Sequence, residues 1–301
     1  MYSKTNTLIV IAGPTASGKT AAGIQLAQQL GTEIISADSR QFYREMAIGT
    51  AKPGPAELAQ AKHHFVNSHS ITDSFNVGDF EQQGLALLDN LFTTHNTVIM
   101  VGGSGLYIKA VCEGFDQLPT ADPAIREQLN KAYESNGIAY LQEQLKQTDP
   151  DYYQQVDLHN PQRLIRALEV FESSGLPFSS FRTAGQRQRP FGVLKVGLSL
   201  PREQLYERIN LRVDDMIAQG LVDEVRSLLP YRHLNALNTV GYSEIFDYLD
   251  GKTDLPRAIE LIKQNTRRFA KRQMTWFNKD KAINWVKPRE VVTFVMEHLT
   301  K

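Results

Sequence analysis

One cysteine, Cys112, in a chain of 301 residues leaves no disulfide framework and no cysteine-built zinc site. A lone thiol of this kind is expected as a small buried hydrophobe. Long hydrophobic runs are also missing: no segment approaches the ~18 consecutive apolar residues of a membrane span. The first apolar run stops at Gly13 with no small-residue cleavage pattern behind it, so it is expected to form a strand rather than a signal peptide. A cytoplasmic location follows by exclusion. Neither sign of charge is in excess, with 33 Lys+Arg against 33 Asp+Glu. There is no internal repeat and no low-complexity tract. His63, His64 and His69 have neither cysteine nor clear acidic partners nearby, and are expected on the surface or in the core rather than on a metal.

What is present is globular in kind. Hydrophobic residues make up 42% and charged residues 22%, in a chain with room for one large or two modest domains. Zero net charge argues weakly against nucleic acid, but the charge is unevenly spread. Between Lys263 and Arg289 stand nine Lys or Arg residues and a single acid, Asp280, enough for a local positive field.

Short β-rich runs at 8–12, 33–37, 97–101 and 194–200 alternate with stretches of helical period, the first of them 21–30, stopped by Gly31. From 122 to 175, Gln, Leu, Tyr and Glu recur at helical spacing without a convincing strand. Helices are again expected at 202–229, 241–249 and 256–277. The pattern predicts an α/β fold: a P-loop NTPase-like parallel sheet flanked by helices, formed by 1–115 and 190–301. Residues 116–189 are expected to form a helical insertion domain, and the C-terminal part is helical.

The strongest motif is Gly13-Pro14-Thr15-Ala16-Ser17-Gly18-Lys19-Thr20, a full G-x-x-x-x-G-K-[ST] placed after a strand and before a helix. Its glycines let successive N–H groups turn toward phosphate oxygens, and the helix N-terminus adds partial positive charge. Lys19 supplies a point charge to the terminal phosphates and Thr20 a hydroxyl for Mg²⁺. The motif specifies a di- or triphosphate and leaves open which bond breaks.

Nucleotide hydrolases with such a loop place an Asp at the end of a second apolar strand to hold Mg²⁺. Here the run 97–101 leads into Gly102-Gly103-Ser104-Gly105-Leu106-Tyr107 with no acid, which counts against a motor or switch NTPase. The same loop fails the hydrolase elbow because position 106 is Leu. An acid does close the run 33–37: Asp38, in Ala37-Asp38-Ser39-Arg40-Gln41. At the carboxyl end of a parallel strand it should face the phosphate loop, where it can accept a proton from an incoming nucleophile. The competing reading is a turn cap.

Taken together, several segments resemble the tRNA dimethylallyltransferases, also called tRNA isopentenyltransferases, over nearly the whole chain. They are GPTASGKT at 13–20, ADSRQFY at 37–43, GGSGLY at 102–107 and NPQRLIRALEV at 160–170. RINLRVDDMIAQGLVDEV at 208–225, VGYSEI at 240–245 and TRRFAKRQMTWF at 266–277 complete the set. The resemblance implies transfer of a dimethylallyl group from dimethylallyl diphosphate to N6 of the adenosine 3′ to the anticodon of tRNA. The loop would then hold a leaving diphosphate, with Mg²⁺ on Thr20 as cofactor, and Asp38 would take the proton of a flipped adenine. It also implies tRNA contacts at Asp38, Ser39, Arg40, Gln41, Ser104, Arg126, Gln162, Arg163, Leu164, Ile165 and Arg166. An arginine on the diphosphate is implied near Arg208 and Arg212, with Arg212 preferred. Ser104 stands where the family usually has Thr. Read from spacing alone, Arg163 and Arg166 share a helix face and either bind RNA or pair with acids such as Glu169.

Arg267, Arg268, Lys271 and Arg272 would track phosphates while Phe269, Trp276 and Phe277 anchor their helix to the core. A monomer is expected. A small-molecule P-loop kinase explains 13–43 equally well but not the basic C-terminal helix. An adenylate isopentenyltransferase is disfavoured by the insertion, and a nucleotide-gated RNA-binding module by the acid beside the loop.

Overall fold

The computed structural model describes residues 6–116, 118–119, 122–182 and 187–300. Six strands form one sheet: β1 (Thr7–Ala12), β2 (Ile34–Ser36), β3 (His63–His64), β4 (Thr97–Gly102), β5 (Gly192–Leu198) and β6 (Asn284–Val286). Their order is β3-β2-β4-β1-β5-β6 and every pairing is parallel. In β1, Leu8, Ile9, Val10 and Ile11 are all fully buried, because a central parallel strand is covered on both faces. Ile9 stands opposite Ile99 on one side and Leu194 on the other.

The helices are α1 (Lys19–Leu30), α2 (Pro55–Leu58), α3 (Val77–Leu91), α4 (Gly105–Glu113), α5 (Pro123–Thr148), α6 (Pro150–Tyr153) and α7 (Pro161–Ser174). They continue with α8 (Arg202–Ala218), α9 (Leu221–Ser227), α10 (Tyr242–Leu249), α11 (Leu255–Phe277) and α12 (Val291–Leu299). Among the described residues, none of these is long and apolar enough to cross a membrane.

The chain divides into two compact units, Met1–Glu113 with Gln188–Lys301, and Gly114–Arg187. The first holds the sheet. On one face Leu8, Val10 and Met100 pack with Phe42, Phe80 and Val111; on the other Ile9, Ile11 and Ile99 pack with Leu26, Val291 and Val295. A third cluster, around Tyr242, Val213, Val225 and Ile262, joins α8 to α11. The second unit has a core of its own, built from Leu129, Leu141, Leu145, Leu164, Ile165 and Leu168.

All four expected strands form, with small shifts at their ends. Two were not foreseen, β3 and β6, which are two and three residues long. The helix expected at 202–229 is two helices, because Gly220 adopts a left-handed φ of 98° and caps α9. Cys112 is buried as expected, and burial pushes its thiol up to about 12. His64 does have an acidic partner: Nε2 lies 2.5 Å from Glu33 Oε2. Among the described residues no group of three His, Cys, Asp or Glu is placed to hold a metal ion.

Candidate active site

Three strand ends supply the site, as the geometry of a parallel sheet requires. Gly13 follows β1, Asp38 lies two residues beyond β2, and Gly103 follows β4. The loop 13–18 turns at Gly18 (φ 92°), which opens α1, and α1 has no acid in its first turn to offset its positive end. Ala16 also takes a left-handed φ of 62°, a strained choice for a residue with a Cβ, and its methyl is held against Leu205, Ile209 and Ala270. Ser17 Oγ is buried with no hydrogen-bond partner, a polar atom left spare inside the loop. Thr20 lies in the first turn of α1.

Lys19 Nζ donates to Pro14 O at 2.7 Å, so the lysine lies across the mouth of its own loop. Burial lowers its pKa to about 8, against the opposing pull of Asp38, and Arg212 lowers it further. Asp38 is reciprocally affected. Burial raises its carboxyl above the ordinary range, while the Arg40 N–H and the charges of Lys19 and Arg40 pull it down. Asp38 Oδ1 accepts from Arg40 N at 3.1 Å, so one oxygen does cap a turn, as the competing reading of this residue supposed. The Gln41 N–H also bonds to the carboxylate, so two backbone donors orient it.

Arg212 is partly buried and interacts electrostatically with both Asp38 and Lys19, whereas Arg208 is exposed, with its guanidinium near Gly18. The two arginines therefore flank the loop at different depths.

The Asp38 turn is braced from several sides. Ser39 N donates to Ser104 Oγ at 3.0 Å and the two hydroxyls meet at 3.2 Å, so the shortened side chain at 104 serves its neighbour across the strand ends. Gln41 Nε2 donates to Thr50 O and Ala51 O, both at 3.3 Å, and Arg40 Nη2 reaches Asn238 O at 3.5 Å. The loop that Gln41 holds is itself fixed by Glu224, whose carboxylate accepts from the backbone of Ala47, Ile48 and Gly49 and from Tyr242 Oη, at 3.1, 2.7, 3.0 and 2.6 Å. Glu224 lies within the segment 208–225 that resembles the family. A carboxylate between Val222 and Val225 in a short helix carries no periodic signal of such a task.

Helix α11 closes the site with Gln273, which is 7% exposed. Its Oε1 accepts from Thr15 N at 2.8 Å and its Nε2 donates to Gly103 O at 2.9 Å, joining two glycine loops through one amide. A Cβ on Gly103 would stand 2.3 Å from that Nε2, and one on Gly105 would meet the Trp276 ring at 2.2 Å. Gln273 was missed in sequence, although a signal existed: it is a polar residue on the stripe of Ala270 and Phe277, which the helix buries.

The outer face of α11 is basic. Arg268, Lys271 and Arg272 are exposed, and Lys271, Arg272, Thr275, Trp276 and Lys279 line an open depression of about 220 Å³. Arg267 instead donates to Asn210 on α8 at 2.6 Å. Two of the three aromatics anchor the helix, Phe277 by burial and Trp276 by the ring face it lays on Gly105. Phe277 is buried, but Phe269 and Trp276 are 39% and 41% exposed, and Arg272 lies over the Phe269 ring. The expectation that all three face the core is corrected: Phe269 follows the basic face because it lies one residue off the buried stripe.

In the second unit, Arg126 Nη1 and Arg166 Nη1 converge on Glu169 Oε2 at 3.1 and 2.9 Å, and Arg126 Nη2 donates to Gln162 Oε1 at 2.8 Å. Glu169 is wholly buried and its other oxygen has no partner. The salt-bridge reading thus holds for Arg166, while Arg163 and Gln162 are exposed at the start of α7. Leu164 and Ile165 are corrected: both are fully buried core side chains and offer no surface to an RNA.

The sequence model of the family described as IPP transferase matches residues 41–280. A tRNA dimethylallyltransferase of Christiangramia forsetii is 55% identical over 280 residues, 93% of either chain. A tRNA dimethylallyltransferase of Bacteroides thetaiotaomicron is 49% identical over 293 residues, 97% of this chain and 95% of its own. Among solved structures, a tRNA isopentenylpyrophosphate transferase of Bacillus halodurans aligns at a TM-score of 0.71 with 35% identity, covering 98% of this chain and 97% of that one. A eukaryotic dimethylallyltransferase acting on tRNA aligns at 0.79 with 26% identity, covering 94% and 74%. On sequence and on fold, over almost its whole length, the chain belongs to the IPP transferase family.

Proposed function

We propose that this chain transfers a dimethylallyl group from dimethylallyl diphosphate to N6 of the adenosine 3′ to the anticodon of tRNA. The observation that supports this reading is the Asp38 carboxylate, oriented by backbone N–H groups in the field of Lys19, beside a phosphate loop with no acid after β4. In the reaction the allylic C–O bond breaks, its electron pair leaves with diphosphate, and N6 forms the new bond to carbon. Asp38 takes the N6 proton. Lys19, Arg212 and the loop amides hold the diphosphate as its charge develops. The adenine reaches the crevice by leaving the anticodon stack.

The residues present fit Mg²⁺ shared with a phosphate rather than caged by protein. The loop offers the Thr20 hydroxyl in the first turn of α1, and Mg²⁺ characteristically takes few protein ligands and completes its shell with phosphate oxygens and water. When bound, it supplies charge neutralisation to the leaving diphosphate.

On the RNA side, the exposed basic face of α11 and the arginine cluster of the second unit bind phosphates, and Ser39, Arg40 and Ser104 shape the pocket mouth. The reading includes a monomer at work in the cytoplasm. Incubation with an unmodified tRNA, dimethylallyl diphosphate and Mg²⁺, followed by nucleoside mass analysis, should give one prenylated adenosine per tRNA. Consumption of ATP with no prenylated nucleoside would reject the reading in favour of a kinase.

A further inference from the structure

The exposed side of α11 near its C-terminus interleaves cations with aromatic rings. Phe269, Arg272 and Trp276 stand at i, i+3 and i+7 and share one stripe, and Lys271, Thr275 and Lys279 form the stripe beside it. Among the described residues no ion pair reaches Lys271, Arg272 or Lys279, and the acid next to them in sequence, Asp280, is held by Lys195 Nζ at 2.6 Å. Arg272 lies over Phe269, its Cζ 5.8 Å from the ring centre.

Trp276 is seated rather than loose. Its pyrrole ring lies on Gly105, where a Cβ would come within 2.2 Å of Cδ1 and Nε1. Only glycine leaves room for that contact, so one face of the indole rests on the start of α4 while the residue stays 41% exposed. The rest of the ring opens on the depression that Lys271, Arg272, Thr275 and Lys279 line with it. This surface adjoins the chemistry. Gln273, about one helical turn before Trp276, bonds both glycine loops, and Ser104, next to Gly105, accepts from Ser39 N in the Asp38 turn.

From this arrangement we infer that Trp276 is a stacking platform for one unpaired RNA base, a near neighbour of the reacting adenine, with Lys271, Arg272 and Lys279 on the flanking phosphates. A nucleotide presents the two surfaces that the depression complements, an anionic phosphate and an aromatic face. A base inside a duplex has both faces covered by its neighbours, so the platform serves only loop or otherwise unpaired nucleotides. This role rests on the proposed reading of the chain as acting on tRNA, and adds a contact with a base to the phosphate contacts of α11.

The chain holds two tryptophans, so Trp285→Phe leaves Trp276 as the sole reporter. In that full-length variant, titration with an anticodon stem–loop RNA should quench Trp276 emission and shield it from acrylamide. An RNA duplex with the same number of phosphates and no unpaired nucleotide should bind through charge alone and leave both signals near their starting values. Trp276→Ala should weaken stem–loop binding about 10-fold and leave duplex binding and diphosphate affinity as they are. Its salt slope should match wild type, since no charge is removed. Trp276→Phe, which keeps a π face, should recover most of the loss.

Equal quenching by duplex and stem–loop, or stem–loop binding that leaves the emission untouched at saturation, overturns the inference. So does a Trp276→Ala chain that loses affinity for both RNAs alike, the outcome of a purely structural role. If Trp276→Ala loses its melting transition, the quenching comparison decides alone. If Trp285→Phe does, the difference in emission between wild type and Trp276→Phe supplies the same signal. A chain that prenylates tRNA while its Trp276 emission ignores the bound loop would refute the platform and leave the function standing.

Discussion

Asp38 and Lys19 shift each other's protonation, and that pairing fixes the pH behaviour expected of the site. Asp38 must be ionised to accept a proton, and burial raises its pKa, so the acid limb of kcat/KM lies above the ordinary carboxylate range. Lys19 must be charged to hold diphosphate, and a lysine is charged below its pKa. With that pKa lowered to about 8, kcat/KM for dimethylallyl diphosphate should fall above about pH 8, and Lys19→Arg should carry the falling limb to higher pH. A profile flat to pH 10 would remove Lys19 from the free-enzyme account. Asp38→Asn should cost about 10²–10⁴-fold in transfer. Its diphosphate affinity should stay near wild type at pH 7, because the loop donors survive. At pH 8 it should weaken, since the aspartate charge that helps keep Lys19 protonated is gone. Titration with inorganic diphosphate at both pH values separates this from a structural loss, which would be the same at each.

At the scale of the element, α11 has two tasks on two faces. Its buried stripe carries Gln273 to the glycine loops, and its outer face carries the charge. Replacing Arg268, Lys271 or Arg272 by Ala should weaken tRNA binding without changing the melting temperature appreciably, because all three are exposed. Each lost phosphate contact should reduce the slope of log K against log salt by roughly 0.7–0.9. Arg267→Ala should instead lower stability, since its guanidinium bonds Asn210 on α8. Much of this helix was legible in sequence: its extent, its charge and its family motif. The facing of its aromatics was not, because hydrophobicity suggested an anchor where position on the helix decided otherwise. The sheet divides in the same way. Long apolar runs announced β1, β4 and β5, whereas β3 and β6 are too short to carry a period and exist only because a neighbouring strand pairs with them. The phosphate loop and Asp38 could be read locally. The residues that hold them, Gln273 and Glu224, act across sequence separations of 258 and 176 that no local pattern encodes.

For the whole molecule, the separation into two cores has a measurable consequence. Among the described residues no cluster of buried apolar side chains draws on both units, so each can open with its own free energy. A ligand that binds one unit stabilises that unit by mass action, about 2.7 kcal/mol at a hundredfold excess over Kd. Saturating diphosphate should therefore slow amide exchange in the sheet and in α1, where the loop is anchored, and leave the core of the second unit at its original rate. Leu164→Ala should do the reverse. It removes a fully buried side chain from the second core, a change that costs about 2–5 kcal/mol, and exchange around Leu141, Leu145 and Leu168 should accelerate accordingly. Diphosphate affinity should not move. The same variant also tests the corrected role of Leu164: measured under conditions where it remains folded, tRNA affinity should match wild type, because the side chain shows no surface to an RNA. If diphosphate protected both cores equally, the two units would be one cooperative body, and destabilising either would unfold the phosphate loop along with it.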